Sequence, residues 1–325
     1  MKKRYLLPLL LIAALAAAFF LLRTPDTDPA AMLAKYGGDA ARFAEGLDGL
    51  RIHYRDQGAS DGVPIVFIHG SSASLHTWEP LAGRLGGDYR IISYDQPGHG
   101  LTGPAPDDDY SARGMMRALD AVAAAANVDR FILAGNSMGG WVAWRYALEN
   151  PEKVEALILI DAAGAPLLEG EEPPPLNLGF RLMKIEWLRP LLEQSTPRSI
   201  VEKSVRDTVA VDSIVTDEMI DRYWELLRYP GNRRATALRN DVDREAAMFD
   251  RISEIAAPVF IVWGAEDQLI YPTAAQTFHE RLLNSEIFIL NGVGHLPMEE
   301  APDLTADHIR AFLADHALAN ASPSP

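Results

Sequence analysis

Three turns, widely separated in the sequence, carry a serine, an aspartate and a histidine, which are the residue types of a catalytic triad. Ser137 lies in the turn 135–140, Asp267 follows an apolar run, and His295 follows the next apolar run. A serine hydroxyl becomes a good nucleophile only when a base removes its proton and a third group fixes the tautomer of that base. We therefore predict that Ser137 is the nucleophile, His295 the general base and Asp267 the orienting carboxylate.

The residues around Ser137 predict a strand, a sharp turn and a helix in that order. An apolar run, 131–134, leads into the stretch Gly-Asn-Ser-Met-Gly-Gly, and an amphipathic segment begins at Trp141. Such a turn would strain the backbone of Ser137, and the glycines two residues to either side remove Cβ atoms that would collide. A dinucleotide loop is disfavoured because Ser137 replaces its middle glycine, and a P-loop is excluded because no lysine follows. A plain strand-to-helix connection remains the alternative for this motif alone.

Two other carboxylates could orient His295. Glu266 is adjacent to Asp267, and Asp161 ends a neighbouring apolar run. The turns of Asp267 and His295 each follow an apolar strand pattern, which places them at the same sheet edge as Ser137. The chain order Ser, Asp, His is that of a nucleophile elbow. The register of the motif favours Asp267 over Glu266, and Asp161 is a further alternative.

Hydrolysis by a serine also needs hydrogen-bond donors for the developing oxyanion. The backbone N–H of Met138, directly after the nucleophile, is one candidate. The N–H of Ser71, in the turn that follows His69 and Gly70, is the other. We expect His69 to fix this turn rather than to take part in the chemistry.

The remaining histidines carry no comparable signal. We expect His53 and His99 to be structural or exposed, and His76 and His279 to lie on helix surfaces. The three aspartates 107–109 are typical of a solvated loop. No residues have the spacing of a metal site, and no cofactor is predicted.

The candidate residues are embedded in an alternation of strand and helix patterns. Short continuous apolar runs are typical of strands buried on both faces of a parallel sheet, and the alternation predicts an α/β fold with helices on both faces. An Asp-Gly pair at 48–49 predicts a hairpin between residues 42–47 and 50–55. The predicted strands are 63–69, 90–95, 131–134, 154–161, 258–264 and 286–290, and the main predicted helices are 110–127, 273–283 and 302–317.

Strand patterns lapse between residues 164 and 249. This segment contains three consecutive prolines and several helical patterns. An all-helical insertion before the last strands would lie over the carboxyl ends of the sheet, where ligands bind in such folds. We predict a lid over 164–249, whose Leu, Met and Trp side chains line an apolar pocket, and a core formed by 42–163 and 250–317.

The composition excludes several classes of protein. The chain has 325 residues, a net charge of −15 and no cysteine. The charge disfavours nucleic acid as a partner. The lack of cysteine excludes disulfides, thiol nucleophiles and cysteine metal sites.

The N-terminal sequence predicts a membrane anchor or a signal segment. Lys2, Lys3 and Arg4 precede an apolar run, 6–22, which is long for the core of a cleaved signal and short for a membrane-spanning helix. An uncleaved anchor within 1–23 is favoured over a cleaved signal, and either one exports the rest of the chain. We predict a linker over 24–41 and a disordered tail over 318–325.

From about residue 42 to 317 the chain resembles the α/β-hydrolase superfamily. The resemblance rests on the elbow at Ser137, on His69-Gly70, on the stretch Asp-Gln-Pro-Gly-His-Gly at 95–100, and on Asp267 and His295 in that order. It implies a mostly parallel eight-stranded sheet with a helical lid, and the triad roles given above.

Within this superfamily the chain is most similar to serine esterases and lipases. The elbow is also similar to that of meta-cleavage-product hydrolases, which break carbon–carbon bonds. Those enzymes tend to have Ser-Gly-Pro-Gly after the His-Gly pair and a tryptophan after the catalytic histidine, whereas this chain has Ser-Ser-Ala-Ser and Leu296. Epoxide hydrolases and haloalkane dehalogenases use an aspartate nucleophile, and Ser137 argues against both.

We therefore predict an exported, membrane-anchored serine hydrolase. Its expected substrates are carboxylic esters with small to medium apolar acyl groups, cleaved through an acyl-enzyme. A carbon–carbon hydrolase with the same triad is the alternative. A third hypothesis, from another class, is an anchored binding protein that keeps the fold without turnover.

Overall fold

The computed structural model describes residues 23–46, 49–175 and 178–318, together with Phe19. In this part of the chain, eight strands form one sheet in the order β1-β2-β4-β3-β5-β6-β7-β8. β2 pairs antiparallel with β1 and β4, and all other pairs are parallel. This confirms the predicted mostly parallel sheet and its N-terminal hairpin. The strands are Arg42–Glu45 (β1), Arg51–Gly58 (β2), Pro64–Ile68 (β3), Arg90–Tyr94 (β4), Phe131–Asn136 (β5), Val154–Ile160 (β6), Val259–Gly264 (β7) and Ser285–Leu290 (β8).

Helices cover both faces of the sheet and fill the segment between β6 and β7. Short 3₁₀ and π turns connect several of them. The α-helices are Pro29–Met32 (α1), Glu79–Leu85 (α2), Ala112–Ala125 (α3), Met138–Glu149 (α4), Leu178–Met183 (α5), Arg189–Leu192 (α6), Arg198–Arg206 (α7), Asp217–Leu227 (α8), Asn232–Asn240 (α9), Thr273–Arg281 (α10), Pro297–Glu300 (α11) and Pro302–Asp315 (α12).

The central strands are apolar on both sides because both sides are buried. In β3, Ile65 and Phe67 pack into a cluster with Trp78 on one face. Val66 and Ile68, which alternate with them, pack into a second cluster on the other face. Since side chains alternate along a strand, a continuous apolar run supplies both layers. The parallel strands β5 to β8 therefore end at one common edge, and the turns that follow them lie side by side.

The segment that precedes β1 lies against the helices of the predicted lid. Thr24 N–H donates to Gln194 O at 2.9 Å, and Thr27 N–H donates to Arg228 O at 2.9 Å. Thr24 and its neighbours fall in the range for which a linker is predicted.

No helix in the described part of the chain is long and apolar enough to cross a membrane. The predicted anchor lies, apart from Phe19 and Arg23, outside the described residues, as does most of the predicted C-terminal tail.

Candidate active site

Ser137 stands at the tip of a strained turn between β5 and α4, as its sequence predicts. Its φ and ψ angles are 54° and −120°. A Cβ on Gly135 would lie 2.3 Å from the carbonyl oxygen of Gly139, and a Cβ on Gly139 would lie 2.1 Å from that of Ile68. Only glycine fits at either position, because real Cβ atoms do not approach backbone oxygens so closely.

The backbone of Ser137 is bonded to the last residue of β6 and to the turn that follows it. Its N–H donates to Ile160 O at 3.1 Å, and its carbonyl oxygen accepts from Ala163 N–H at 2.9 Å. These bonds hold the residue in a conformation that a side chain would otherwise avoid.

His295 and Asp267 form a buried hydrogen-bonded pair. The distance from His295 Nδ1 to Asp267 Oδ2 is 2.7 Å. Asp267 Oδ1 accepts from the backbone N–H groups of Leu269 at 2.7 Å and Ile270 at 3.2 Å. Three donors to one carboxylate favour its ionised form. Nδ1 of His295 therefore carries the proton, and Nε2 is left as the basic atom.

The residue before the serine joins the turn of Ser137 to the turn of His295. Asn136 Nδ2 donates to the carbonyl oxygen of His295 at 3.1 Å and to that of Ile160 at 3.2 Å. Ser137 and His295 also line the same cavity. The amide of Asn136 thus ties the nucleophile turn to the turn that follows β8.

The two alternative acids lie in different places. Glu266 is exposed to solvent. Asp161 is fully buried after β6, and one of its oxygens lies within 4.8 Å of a carboxylate oxygen of Asp267 and a ring nitrogen of His295. Asp161 Oδ1 accepts from Gly264 N–H at 3.0 Å. These three groups are of metal-ligand type, but Asp267 and His295 already direct their facing atoms at each other. Asp267 is the carboxylate that contacts the imidazole.

The turn after β3 lies directly beside Ser137. A Cβ on Gly70 would lie 2.9 Å from Asn136 Oδ1 and 3.1 Å from Ser137 Cβ. Ser71, the next residue, lines the cavity with Ser137. Met138 is the first residue of α4, where the backbone N–H has no acceptor within the helix. The two predicted oxyanion donors belong to segments that adjoin Ser137.

His69 fixes the turn that carries Ser71. Its Nδ1–H donates to Gly70 O at 2.8 Å, and its Nε2 accepts from Gln96 N–H at 3.0 Å. These contacts require the neutral ring with the proton on Nδ1. Burial lowers the pKa of His69 to about 4. A neutral ring that makes two hydrogen bonds suits the structural role that the sequence suggests.

The other histidines are more buried than the sequence indicates. His76, predicted on a helix surface, is 4% exposed, and its Nε2 donates to Tyr36 O at 2.8 Å. That prediction is wrong, because the segment before β1 covers the 3₁₀ turn Leu75–Trp78, in which His76 lies. His279 is half-buried. His53 and His99 are buried and structural: His53 Nδ1 contacts Asp95 Oδ2 at 2.8 Å, and the His99 ring packs edge-on against His69.

A cavity of about 200 Å³ opens above Ser137, roofed by residues between β6 and β7. Leu and Met side chains line it, as predicted for the lid, but Trp187 and Trp224 do not. Trp187 is 75% exposed, and Trp224 Nε1–H is directed to Thr196 O at 2.7 Å. The tryptophan part of the prediction is wrong, because these rings lie outside the cavity. Its apolar lid residues include Leu182, Met183, Leu192, Ile200, Val205 and Leu227.

Glu300 is a site residue that sequence reasoning missed. Its Oε2 accepts from Gly294 N–H at 3.0 Å in the histidine turn, and from the N–H groups of Ala210 at 2.8 Å and Val211 at 2.9 Å in the lid segment. One carboxylate therefore joins the turn of His295 to the lid. The available signal was an acidic residue in the first turn of a helix that begins at Pro297.

The fold and this arrangement are those of α/β hydrolases, and comparison with known proteins agrees. The model of the alpha/beta hydrolase family matches residues 65–308. The chain belongs to this family.

Similar proteins include one named as a lipase and one described as a phospholipase. Lipase 1 of Psychrobacter immobilis is 27% identical over 281 residues, which cover 81% of each chain. A solved structure described as a membrane phospholipase A, a novel bacterial virulence factor, is 27% identical with a TM-score of 0.67, and the match covers 97% of this chain and 99% of that one. The fold is also shared by a meta-cleavage product hydrolase from Pseudomonas fluorescens IP01, at 20% identity, a TM-score of 0.69 and coverage of 84% and 97%.

Proposed function

We propose that the protein is a serine hydrolase that cleaves carboxylic esters of small to medium apolar acyl groups. The observation that carries the proposal is the 2.7 Å bond between His295 and Asp267 beside a serine in a nucleophile-elbow turn, at the floor of an apolar cavity. Relatives described as a lipase and as a membrane phospholipase A support an acyl ester as substrate.

The proposed reaction has two steps. His295 Nε2 takes the proton of the Ser137 hydroxyl as Oγ attacks the ester carbonyl, and then gives it to the departing alcohol. Water, activated by the same imidazole, releases the acid from the acyl-enzyme. The N–H groups of Ser71 and Met138 would bind the oxyanion in both steps, and losing one such donor typically costs about a hundredfold or more in rate.

Labelling with a fluorophosphonate probe tests the nucleophile. The wild-type chain should be labelled with a single adduct at Ser137, and the variant Ser137→Ala should not. Ser111→Ala, which removes a helix-capping hydroxyl of α3 instead, is the matched control and should label like the wild type. Labelling that persists in Ser137→Ala would refute the proposal.

Acyl preference tests the apolar cavity. We expect kcat/KM on p-nitrophenyl esters to be highest for apolar chains and low for charged ones. Leu182→Phe narrows the cavity and should lower kcat/KM on the octanoyl ester at least about fivefold more than on the acetyl ester, an effect comparable to the loss of one or two buried methylenes. Leu178→Phe, on the same helix but exposed, is the control and should leave the profile unchanged. A flat profile in the wild type would count against the apolar pocket.

A carbon–carbon hydrolase is the second candidate. The elbow stretch 135–140 and the shared fold with a meta-cleavage product hydrolase favour it. The same triad serves both reactions, so the site does not separate them. Turnover of a ring-fission diketone, measured beside a short acyl ester on one preparation, separates the two, because faster turnover of the diketone would replace the ester proposal.

We also propose that the N-terminal run anchors the protein in a membrane after export. The support is the basic-then-apolar pattern of residues 2–22 and the near full-length likeness to a membrane phospholipase A. The full-length chain should stay in the membrane pellet after carbonate extraction, and the double variant Leu10→Arg, Leu11→Arg should not. N-terminal sequencing of the mature protein distinguishes an anchor from a cleaved signal.

A further inference from the structure

Asp161 is a buried carboxyl group to which the triad assigns no role. It lies in the turn after β6, and its φ of 45° is unusual for a side chain with a Cβ. Its backbone N–H donates to Val262 O at 3.0 Å, and its Oδ1 accepts from Gly264 N–H at 3.0 Å. Two residues further on, Ala163 N–H bonds the carbonyl oxygen of Ser137. The turn thus contacts both the nucleophile and the strand that leads to Asp267.

Two buried carboxyl groups this close cannot both be ionised without a large cost, so the pair holds a proton. The hydrogen bonds decide where that proton lies. Asp267 accepts from two backbone N–H groups and from the imidazole, whereas Asp161 accepts from one N–H only. Asp161 Oδ2 is buried and has no partner among the described residues. A proton on Oδ2 would give that atom a donor to share with Asp267.

We infer that Asp161 is a positioning residue that stays protonated in the working enzyme and holds the ionised Asp267 in place behind His295. This inference rests on the proposed triad. Asp161 acts through Asp267 and does not reach the substrate. With one negative charge in the pair rather than two, His295 faces a single carboxylate charge, which is the arrangement that the triad requires.

The surrounding charges agree with this assignment. Burial, and then the charge of Asp267, raise the pKa of Asp161 well above its ordinary range. The titratable groups that face Asp161 are Asp267 from the turn after β7, His295 from the turn after β8, and Glu300 from α11, which acts in the same direction as Asp267.

Two substitutions in the full-length chain separate positioning from charge. Asp161→Asn keeps an acceptor for Gly264 and a donor for Asp267 but cannot ionise. We expect its kcat/KM to stay within about threefold of the wild type, with the acid limb of the pH profile unmoved. Asp161→Ala removes the donor, and we expect kcat to fall about 10- to 100-fold while KM changes little. Recovery in the asparagine variant distinguishes a lost hydrogen bond from a lost fold.

The pH profile of Asp161→Asn can overturn the inference by itself, even if Asp161→Ala fails to fold. If Asp161 were ionised in the wild type, removing a charge this close to the imidazole would move the acid limb down by about one pH unit or more. Wild-type kcat in Asp161→Ala would also overturn it. So would loss of activity in Asp161→Asn beside an active Asp267→Asn, because Asp161 would then be the orienting acid.

Fluorophosphonate labelling of each variant keeps this inference separate from the proposed function. If the wild type is not labelled at Ser137, the proposed function fails. If it is labelled and the acid limb moves in Asp161→Asn, only the assignment to Asp161 fails.

Discussion

Ser137 and Asp161, the residues that directly follow β5 and β6, have φ angles of 54° and 45°, in the left-handed region. Each such conformation costs on the order of 1–3 kcal/mol and persists only where neighbouring bonds enforce it. Hydrogen bonds between the two turns enforce both conformations: Ser137 N–H bonds Ile160 O, and Ala163 N–H bonds Ser137 O. The strain therefore lies at the two strand ends that direct a reactive or supporting group toward His295.

At the residue scale, Asp267 and Glu266 form a matched pair of acids. Asp267→Asn keeps the shape but presents a donor or a neutral oxygen to His295 Nδ1, which favours the wrong tautomer. We expect kcat on an acyl ester to fall by about 10³–10⁴-fold. Glu266→Gln, which changes the exposed neighbour, should stay within about twofold. Equal losses in the two variants would contradict the assignment of the acid.

At the element scale, the carboxyl ends of β5 to β8 can approach one another closely because glycines stand at the points of contact. A Cβ on Gly264, at the end of β7, would lie 1.9 Å from the carbonyl oxygen of Gly294, and one on Gly140 would lie 2.5 Å from Ala162 Cβ. The backbones of the turns that carry Asp267 and His295 are therefore in direct contact, with no side chain between them. This close approach explains how side chains 28 residues apart in the chain meet at hydrogen-bonding distance.

The same contact gives a test with an internal control. Gly264→Ala must push the Asp267 and His295 turns apart, so we expect loss of activity and a free energy of unfolding lower by about 2 kcal/mol or more. Gly83→Ala, in α2, meets no atom within 4 Å and should stabilise the chain by about 0.5–1 kcal/mol through helix propensity. Thermal denaturation and ester turnover of both variants measure the difference.

The sequence predicts those features that depend on local pattern. The apolar runs locate β3 to β8 to within one or two residues, because strands buried on both faces leave a continuous apolar signal. The turns of Ser137, Asp267 and His295 follow from the order of those strands. Asn136, Glu300 and the burial of His76 could not be predicted, because each depends on contacts with segments 40 to 159 residues away.

At the scale of the whole molecule, buried neutral histidines make stability depend on pH. Burial lowers the pKa of both His69 and His76 from 6.5 to about 4. Above pH 6.5 both are neutral in the folded and unfolded chain, and their contribution to stability is fully present. As the pH falls from 6.5 to 4, these histidines bind protons in the unfolded chain but stay neutral in the folded chain. The free energy of unfolding therefore falls by about 1.4 kcal/mol per pH unit for each histidine.

Denaturation at pH 7, 6 and 5 measures this slope. His76→Gln keeps a donor for Tyr36 O. It should reduce the pH dependence of the free energy of unfolding by the contribution of one titrating histidine, even if the stability at pH 7 also falls. An unchanged slope in His76→Gln would show that His76 is not one of the groups responsible.

The contacts of Thr24 and Asp26 determine how far the N-terminus can be truncated before the cavity is disturbed. Arg233 lines the cavity, and its guanidinium is held by Thr24 O at 2.8 Å and Asp26 Oδ1 at 2.6 Å, while Thr24 Oγ1 accepts from Thr196 N–H. A fragment that starts at residue 42, at the first strand of the sheet, would lack the acceptors of the buried Arg233 guanidinium. The lid segment above Ser137 would then lose these contacts. A fragment that starts at residue 23 keeps these hydrogen bonds, so we expect its cavity to keep the shape that it has in the intact protein.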